Sequence, residues 1–311
     1  MPQGSVLGPL LFIMYINDLP TCSVFNCTLY ADVTYLSMSH ENLETLQCMV
    51  NDEIIKIDNW MHLNKLTLNY SKSVYMITGC HKRSKETLDL EDFQIILNGI
   101  KLQQASSVKY LGIFIDRNLN WSSHVASLKS KLACCAQILY KLRCLVSIDI
   151  LKVLYFSFAY CHLQYCVVSW GHTNHSVLQS LNVLHNNLLR IMTFSRYTCH
   201  VTPLYKNLQL LKLTDIYNLE LAKLMHKFHY GMLPATYNNL FQLTSQIHSH
   251  FTRLSNSSNY FIPRYSSNAG KMSISYRGSI LWTEISQEHK MLSFYAFKKC
   301  YKVLLLSQYA L

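Results

Sequence analysis

Pro2-Gln3-Gly4-Ser5-Val6-Leu7-Gly8-Pro9-Leu10-Leu11-Phe12 opens the chain, and Tyr30-Ala31-Asp32-Val33 follows it closely. The first stretch leads into an apolar run through Ile16 that predicts a helix. The second lies in residues 28–35, which predict a hairpin with Asp32 near its tip. Leu43, Leu46, Val50, Ile54, Ile57 and Met61 then recur at steps of three and four, the spacing of an amphipathic helix, with Ser39 as its candidate N-cap. Residues 74–78 predict a short strand. Residues 93–97 and 100–102 flank Asn98-Gly99, a pair suited to a type I′ turn, so a second hairpin is expected there. Residues 108–115 predict a further strand. An α+β fold follows for residues 1–117, with a short antiparallel sheet backed by helices.

Beyond Asn118 the pattern becomes helical. Val125, Leu128, Leu132, Cys135, Leu139 and Leu142 form one apolar stripe, and Lys129, Lys131, Lys141 and Arg143 lie largely off it. Leu178, Leu181, Leu184, Leu188 and Ile191 predict another helix. Residues 216–230 predict a third, capped by Thr214 or Asp215 and stopped by Gly231 and Pro234. From Ser245 the chain turns rich in Ser and Asn. There Arg253, Arg264, Lys271 and Arg277 interleave with Phe251, Tyr260, Phe261 and Tyr265. Basic residues neutralise phosphates and aromatic rings offer stacking surfaces to unpaired bases. An irregular basic loop packed on the helices accounts for the same residues equally well. The expected regions are 1–117, 118–244 and 245–311.

The 311 residues are half hydrophobic and only 14% charged, with a formal net charge of +11. Such a basic balance suits a polyanion partner, or reflects an unbalanced surface. Eleven cysteines without paired Cys-x-x-Cys spacing, and a Met1 start that leads straight into Pro-Gln-Gly, suggest reduced thiols inside a cell, in nucleus or cytoplasm. Cys161, His162, Cys166, His172 and His175 are zinc-ligand types, but their apolar setting favours buried thiols and satisfied histidines. Residues 153–170 carry no formal charge. His162 and Gln164 interrupt them, so a buried helix is expected rather than a membrane span.

The two opening stretches resemble the Pro-Gln-Gly-Ser box and the Ala-Asp-Asp turn of non-LTR (LINE-type, jockey-like) retrotransposon reverse transcriptases. Tyr15-Ile16-Asn17-Asp18-Leu19-Pro20 is similar to the stretch after the box. Leu63-Asn64-Lys65-Leu66-Thr67-Leu68-Asn69-Tyr70-Ser71-Lys72-Ser73 is similar to the next palm motif, and Tyr110-Leu111-Gly112-Ile113-Phe114-Ile115-Asp116 to the primer-grip turn. Farther on, Trp170-Gly171, Tyr276-Arg277-Gly278 with Leu281-Trp282, and Ser293-Phe294 with Phe297-Lys298-Lys299 keep the family's order. The resemblance implies a partial polymerase palm followed by a helical thumb-like region and a basic C-terminal region. It implies RNA-directed DNA polymerase activity, RNA and DNA as partners, and Mg²⁺ as cofactor.

Residue by residue, the resemblance puts Gln3, Gly4, Ser5 and Tyr30 beside template and nucleotide. Asp32 falls at the metal, and Lys72 near the leaving pyrophosphate as a proton donor. Lys129, Lys131, Lys141 and Arg143 fall on the thumb that grips nucleic acid; without the resemblance they are a solvated basic face. The family holds two metal ions with one Asp upstream of the box and a pair in the turn. Val33 replaces the second of that pair, and the upstream strand and the fingers are expected to be absent. Asp18 and Asp116 belong to other motifs and are not expected as ligands. A fragment without catalysis is expected. A non-enzymatic nucleic-acid-binding protein and an unproductive element remnant are the alternatives.

Overall fold

The computed structural model describes residues 4–79, 93–247 and 259–309. The chain divides into two compact units, Met1–Lys109 with Asp116–Leu119, and Tyr110–Ile115 with Asn120–Leu311.

The first unit mixes helices with short strands, in keeping with α+β. Helix α1 (Leu7–Ile16) covers the apolar run after the box. Strands β1 (Asn26–Tyr30) and β2 (Val33–Ser37) pair antiparallel with Tyr30 opposite Val33, leaving Ala31 and Asp32 as the turn. Helix α2 (Leu43–Leu63) buries Val50, Ile57 and Met61 from the predicted stripe, and packs Leu43, Leu46 and Ile54 beside them. Its cap is Asn42 rather than Ser39. The Asn42 side-chain oxygen accepts from the Glu44 and Thr45 amides at 2.8 and 3.1 Å, three residues nearer the first turn than Ser39.

Strands β3 (Val74–Tyr75), β4 (Ile96–Leu97), β5 (Ile100–Lys101) and β6 (Gln103–Gln104) follow. Among the described residues the single antiparallel sheet does not form. The strands make separate two-stranded pairs, and β3 pairs with β6 in parallel. Residues 76–102 lie between those two, enough chain for the crossover a parallel pair requires. The β4–β5 hairpin turns at Asn98 (φ 52°) and Gly99 (φ 75°), both left-handed as a type I′ turn demands. Its turn is tied to α2, because Asn98 Nδ2 donates to buried Asp58 at 2.7 Å and to the Tyr70 hydroxyl at 3.0 Å.

The expected strand 108–115 is broken in two. Strands β7 (Ser107–Tyr110) and β8 (Ile113–Asp116) flank Leu111 (φ 43°) and Gly112 (φ 86°), a two-residue left-handed turn.

The second unit is helical. Helix α3 (Ser122–Leu142) lays its stripe against α7 (His175–Met192), with Leu132, Leu139, Leu181, Leu188 and Leu189 fully buried. Between them, residues 153–170 form no continuous helix. They run through α4 (Ile148–Tyr155), a π-helical segment (Phe156–Tyr160), α5 (Cys161–Gln164) and α6 (Val167–Trp170). The Ser157 hydroxyl and Cys161 thiol each donate to the carbonyl four residues back, a pattern that bends helices. Cys166 at φ 50° then ends the run. Tyr155, Leu163 and Trp170 are buried while Val153 and Phe158 are exposed, so the segment is half-buried rather than buried throughout. Among the described residues no helix is long and apolar enough to cross a membrane.

Helices α8 (Thr202–Leu208) and α9 (Leu213–His229) complete the centre. Lys212 holds the N-cap of α9, and Asp215 falls inside its first turn. The short helices α10 (Thr244–Ile247) and α11 (Asn268–Lys271) precede α12 (Ile274–Glu284), α13 (Gln287–Lys290) and α14 (Phe294–Ser307). Helices α12 and α14 pack on α9 through Trp282, Phe297 and Tyr301. The C-terminal region is therefore part of the same unit, not a separate one, since burying those rings requires the α9 surface.

Candidate functional site

The turn at Ala31-Asp32 forms because β1 and β2 pair in strict register and Ala31 takes a left-handed φ of 50°. Asp32 is exposed, and so are Tyr30 and Val33 beside it. Val33 suits its strand, since a β-branched side chain fits a pleated surface. It has no oxygen to offer a cation.

Gly4 sits at φ 86°, a conformation that favours glycine, and a Cβ there would meet nothing within 4 Å. Ser5 is half-buried at the entry to α1. Gln3 lies outside the described residues. Lys72 is exposed in a turn closed by Asn69, whose backbone oxygen accepts from the Lys72 and Ser73 amides at 3.0 Å. Among the described residues no hydrogen bond or ion pair joins Lys72 to Asp32. Asp18, not expected as a ligand, accepts from the indole of Trp60 at 3.4 Å.

The residues present do not fit the two-metal arrangement that the resemblance implies. Mg²⁺ requires several oxygen ligands, and this turn carries one carboxylate. Among the described residues no group of three or more His, Cys, Asp or Glu side chains could hold a metal ion. Cys161 and Cys166 are exposed, against the expectation of buried thiols. The described cysteines are all free.

In the second unit, Lys129, Lys131 and Lys141 are exposed on α3 and Arg143 is half-buried at its end. They do not share one face. At 3.6 residues per turn, Lys129 and Lys131 point roughly 200° apart. Lys131 looks toward α5, where its charge, after burial, helps to lower the pKa of His162. Arg143 instead stacks. Its guanidinium lies 4.2 Å from the ring centre of Tyr140 and 4.9 Å from that of Phe194. Sequence reasoning missed this contact, because Phe194 lies far along the chain, beyond α7.

Tyr260, expected as a stacking surface, is buried against Phe228, Phe241 and Trp282 and cannot receive a base. Tyr265 remains exposed beside Tyr276. Phe251 and Arg253 lie outside the described residues.

Two motif pairs beyond the first unit, Trp170-Gly171 and Gly278 with Trp282, are packing residues. A Cβ on Gly171 would come 2.6 Å from the Val167 carbonyl and 2.9 Å from the Tyr217 ring, and one on Gly278 would come 2.7 Å from Met225 and Phe241. Trp170 and Trp282 are fully buried next to them.

Residues 1–115 match the family described as reverse transcriptase (RNA-dependent DNA polymerase), and the similar proteins below are non-LTR transposon enzymes of Drosophila. The chain is 26% identical over 241 residues to the probable RNA-directed DNA polymerase from transposon X-element of Drosophila melanogaster, covering 74% of this chain and 25% of that protein. It is 28% identical over 224 residues to the probable RNA-directed DNA polymerase from transposon BS of the same organism, covering 68% and 24%. It is 24% identical over 137 residues to the RNA-directed DNA polymerase from mobile element jockey, covering 42% and 14%. The chain thus spans about a quarter of the length of the first two relatives. No solved structure matches it.

Proposed function

We propose that this chain binds RNA and DNA without copying them. The first unit corresponds to part of a polymerase palm and the helical unit to a thumb. The reading is carried by one observation. The turn that should bear two adjacent carboxylates bears Asp32 and Val33, and Val33 is built into the strand opposite Tyr30. Two metal ions act by activating the attacking hydroxyl and stabilising the leaving oxygens, and each needs its own set of oxygen ligands. One exposed aspartate supports neither role. Gly4, Ser5 and Tyr30 then remain as backbone and ring surface for a strand, and Lys72 as a surface cation. The net charge of +11 supports the binding half of the proposal.

Primer extension on an RNA template, with Mg²⁺ or Mn²⁺, tests the catalytic half. No template-dependent incorporation is expected. Incorporation that disappears in Asp32→Ala would overturn the proposal.

A further inference from the structure

We propose that the C-terminal ends of α3 and α7 form a stacking platform for the unpaired bases of a single-stranded nucleic acid. This rests on the nucleic-acid reading above and names the form of the ligand and the residues that meet it.

Arg143 stands between two rings, Tyr140 and Phe194, each 57% exposed. A second arginine–aromatic pair follows on the same helix end. The Arg190 guanidinium lies 5.3 Å from the ring centre of Tyr197, which is 72% exposed, while its Nε and Nη2 donate to the Cys199 carbonyl. That carbonyl holds the guanidinium edge and leaves its face to the ring.

Phe194 adopts φ 52°, a backbone conformation unfavourable for a bulky side chain. It is fixed there by the hydrogen bond from the Ser195 amide to the Arg190 carbonyl at 3.0 Å and by the Thr193–Ser195 hydroxyl pair at 2.8 Å. The Phe194 ring stands out in solvent rather than in the core. Beside it lies an open groove of about 280 Å³, lined by Arg143, Val146, Ile148, Met192, Thr193 and Phe194. Its apolar floor suits the face of a base, and Arg143 suits a base edge or a phosphate.

Charge selects the occupant. Segments 140–143, 146–151 and 190–196, which carry the rings and line the groove, contribute Lys141, Arg143, Arg190 and Arg196 against a single acidic residue, Asp149. Aromatic faces can stack only on bases freed from their neighbours, so an unpaired strand fits and a duplex does not. The lysines of α3 agree with this. Spread around the helix, they offer no continuous track for a duplex backbone.

The experiment measures fluorescence anisotropy of the whole chain with labelled oligothymidylate of about 20 nucleotides, against an abasic oligonucleotide of equal length and charge. Wild type should bind the thymine strand roughly tenfold more tightly than the abasic one. Tyr140→Ala and Phe194→Ala should each remove most of that preference and leave abasic binding unchanged. Phe194→Leu keeps apolar bulk without a π-face and should behave like Phe194→Ala, whereas Phe194→Tyr should behave like wild type. Equal binding of both strands by wild type, or wild-type preference in Phe194→Leu, overturns the platform and leaves the nucleic-acid reading standing. Binding to neither strand overturns both. A wild-type dimer that Phe194→Ala dissociates, with the base preference unchanged, assigns the groove to a second copy and also overturns the platform.

Discussion

Acidification from about pH 7.5 to about pH 5 should weaken the helical unit by about 2 kcal/mol through a single side chain, His185. The imidazole on α7 is wholly buried. Its Nε2 meets the Tyr155 hydroxyl of α4 at 2.7 Å, and its Nδ1 meets the Tyr205 hydroxyl of α8 at 3.1 Å. Tyr205 also donates to Asn186 at 2.9 Å. Behind Tyr205 stand Tyr309 and Asp215, and Arg190 lies farther along α7. No carboxylate bonds the ring, so burial alone pushes its pKa from 6.5 down to about 3. The folded state keeps His185 neutral while the unfolded chain takes up a proton below pH 6.5, so the unfolded state binds more protons. Stability from this group is therefore complete above pH 6.5 and is lost as pH falls toward 3. The loss is about 1.4 kcal/mol per pH unit, which gives about 2 kcal/mol at pH 5. His162, His172, His226 and His229 shift the same way through burial, and Asp215, raised by burial, the opposite way. All of these persist in His185→Gln, so the difference between the two proteins isolates His185. Urea unfolding at both pH values should show the variant losing about 2 kcal/mol less than wild type on acidification. An equal loss in both would refute the reasoning.

Gly278→Ala should destabilise the helical unit by about 1–3 kcal/mol in thermal unfolding, since its methyl meets Met225 and Phe241 at 2.7 Å and both are buried. In α1, Leu7, Leu10, Leu11, Ile13 and Met14 are exposed, as are Tyr30 and Tyr35 of the first hairpin. Sedimentation at micromolar concentration should therefore show self-association, and a well-behaved monomer would count against it. Nucleic-acid affinity should fall with salt. Because Lys129 and Lys131 face opposite ways, only one of Lys129→Gln and Lys131→Gln should flatten the log–log slope, by about 0.7 on a single strand. Equal flattening by both would show that the strand wraps the helix.

Periodicity and turn chemistry made the individual elements legible. The stripe of α2, the stripe of α3 and the Asn98-Gly99 turn all depend on residues within one turn or one hairpin, and their side chains or φ values enforce them locally. Pairing between distant strands was not legible. Nothing in Val74-Tyr75 or Gln103-Gln104 encodes a parallel partner, because two-residue strands carry no face pattern to set register. The uncharged run of residues 153–170 hid its breaks in helix, which come from hydroxyl and thiol back-bonds and a left-handed Cys166. The Asp32 turn was visible because it is contiguous. The Arg143 stack was not, since one of its rings, Phe194, lies past the end of α7 and far from Arg143 in sequence.

Fold and chemistry separate cleanly in this chain. Beyond the first unit, Gly171 and Gly278 meet steric demands, since an added Cβ collides with backbone, thioether or ring atoms, and Trp170 and Trp282 beside them are fully buried. Losing any of them would disturb helix packing. The departure at Val33 disturbs nothing. Where the resemblance implies a second Asp, it puts a β-branched side chain in an antiparallel strand, where such a residue is favoured in any case. A metal-binding aspartate at a strand end answers only to the reaction it serves. A substitution there can remove the reaction while the register from Asn26–Ser37 to Tyr30–Val33 stays intact. What the scaffold then still presents, strained Phe194 and the two stacked arginines, are contacts that need no metal and no neighbouring carboxylate.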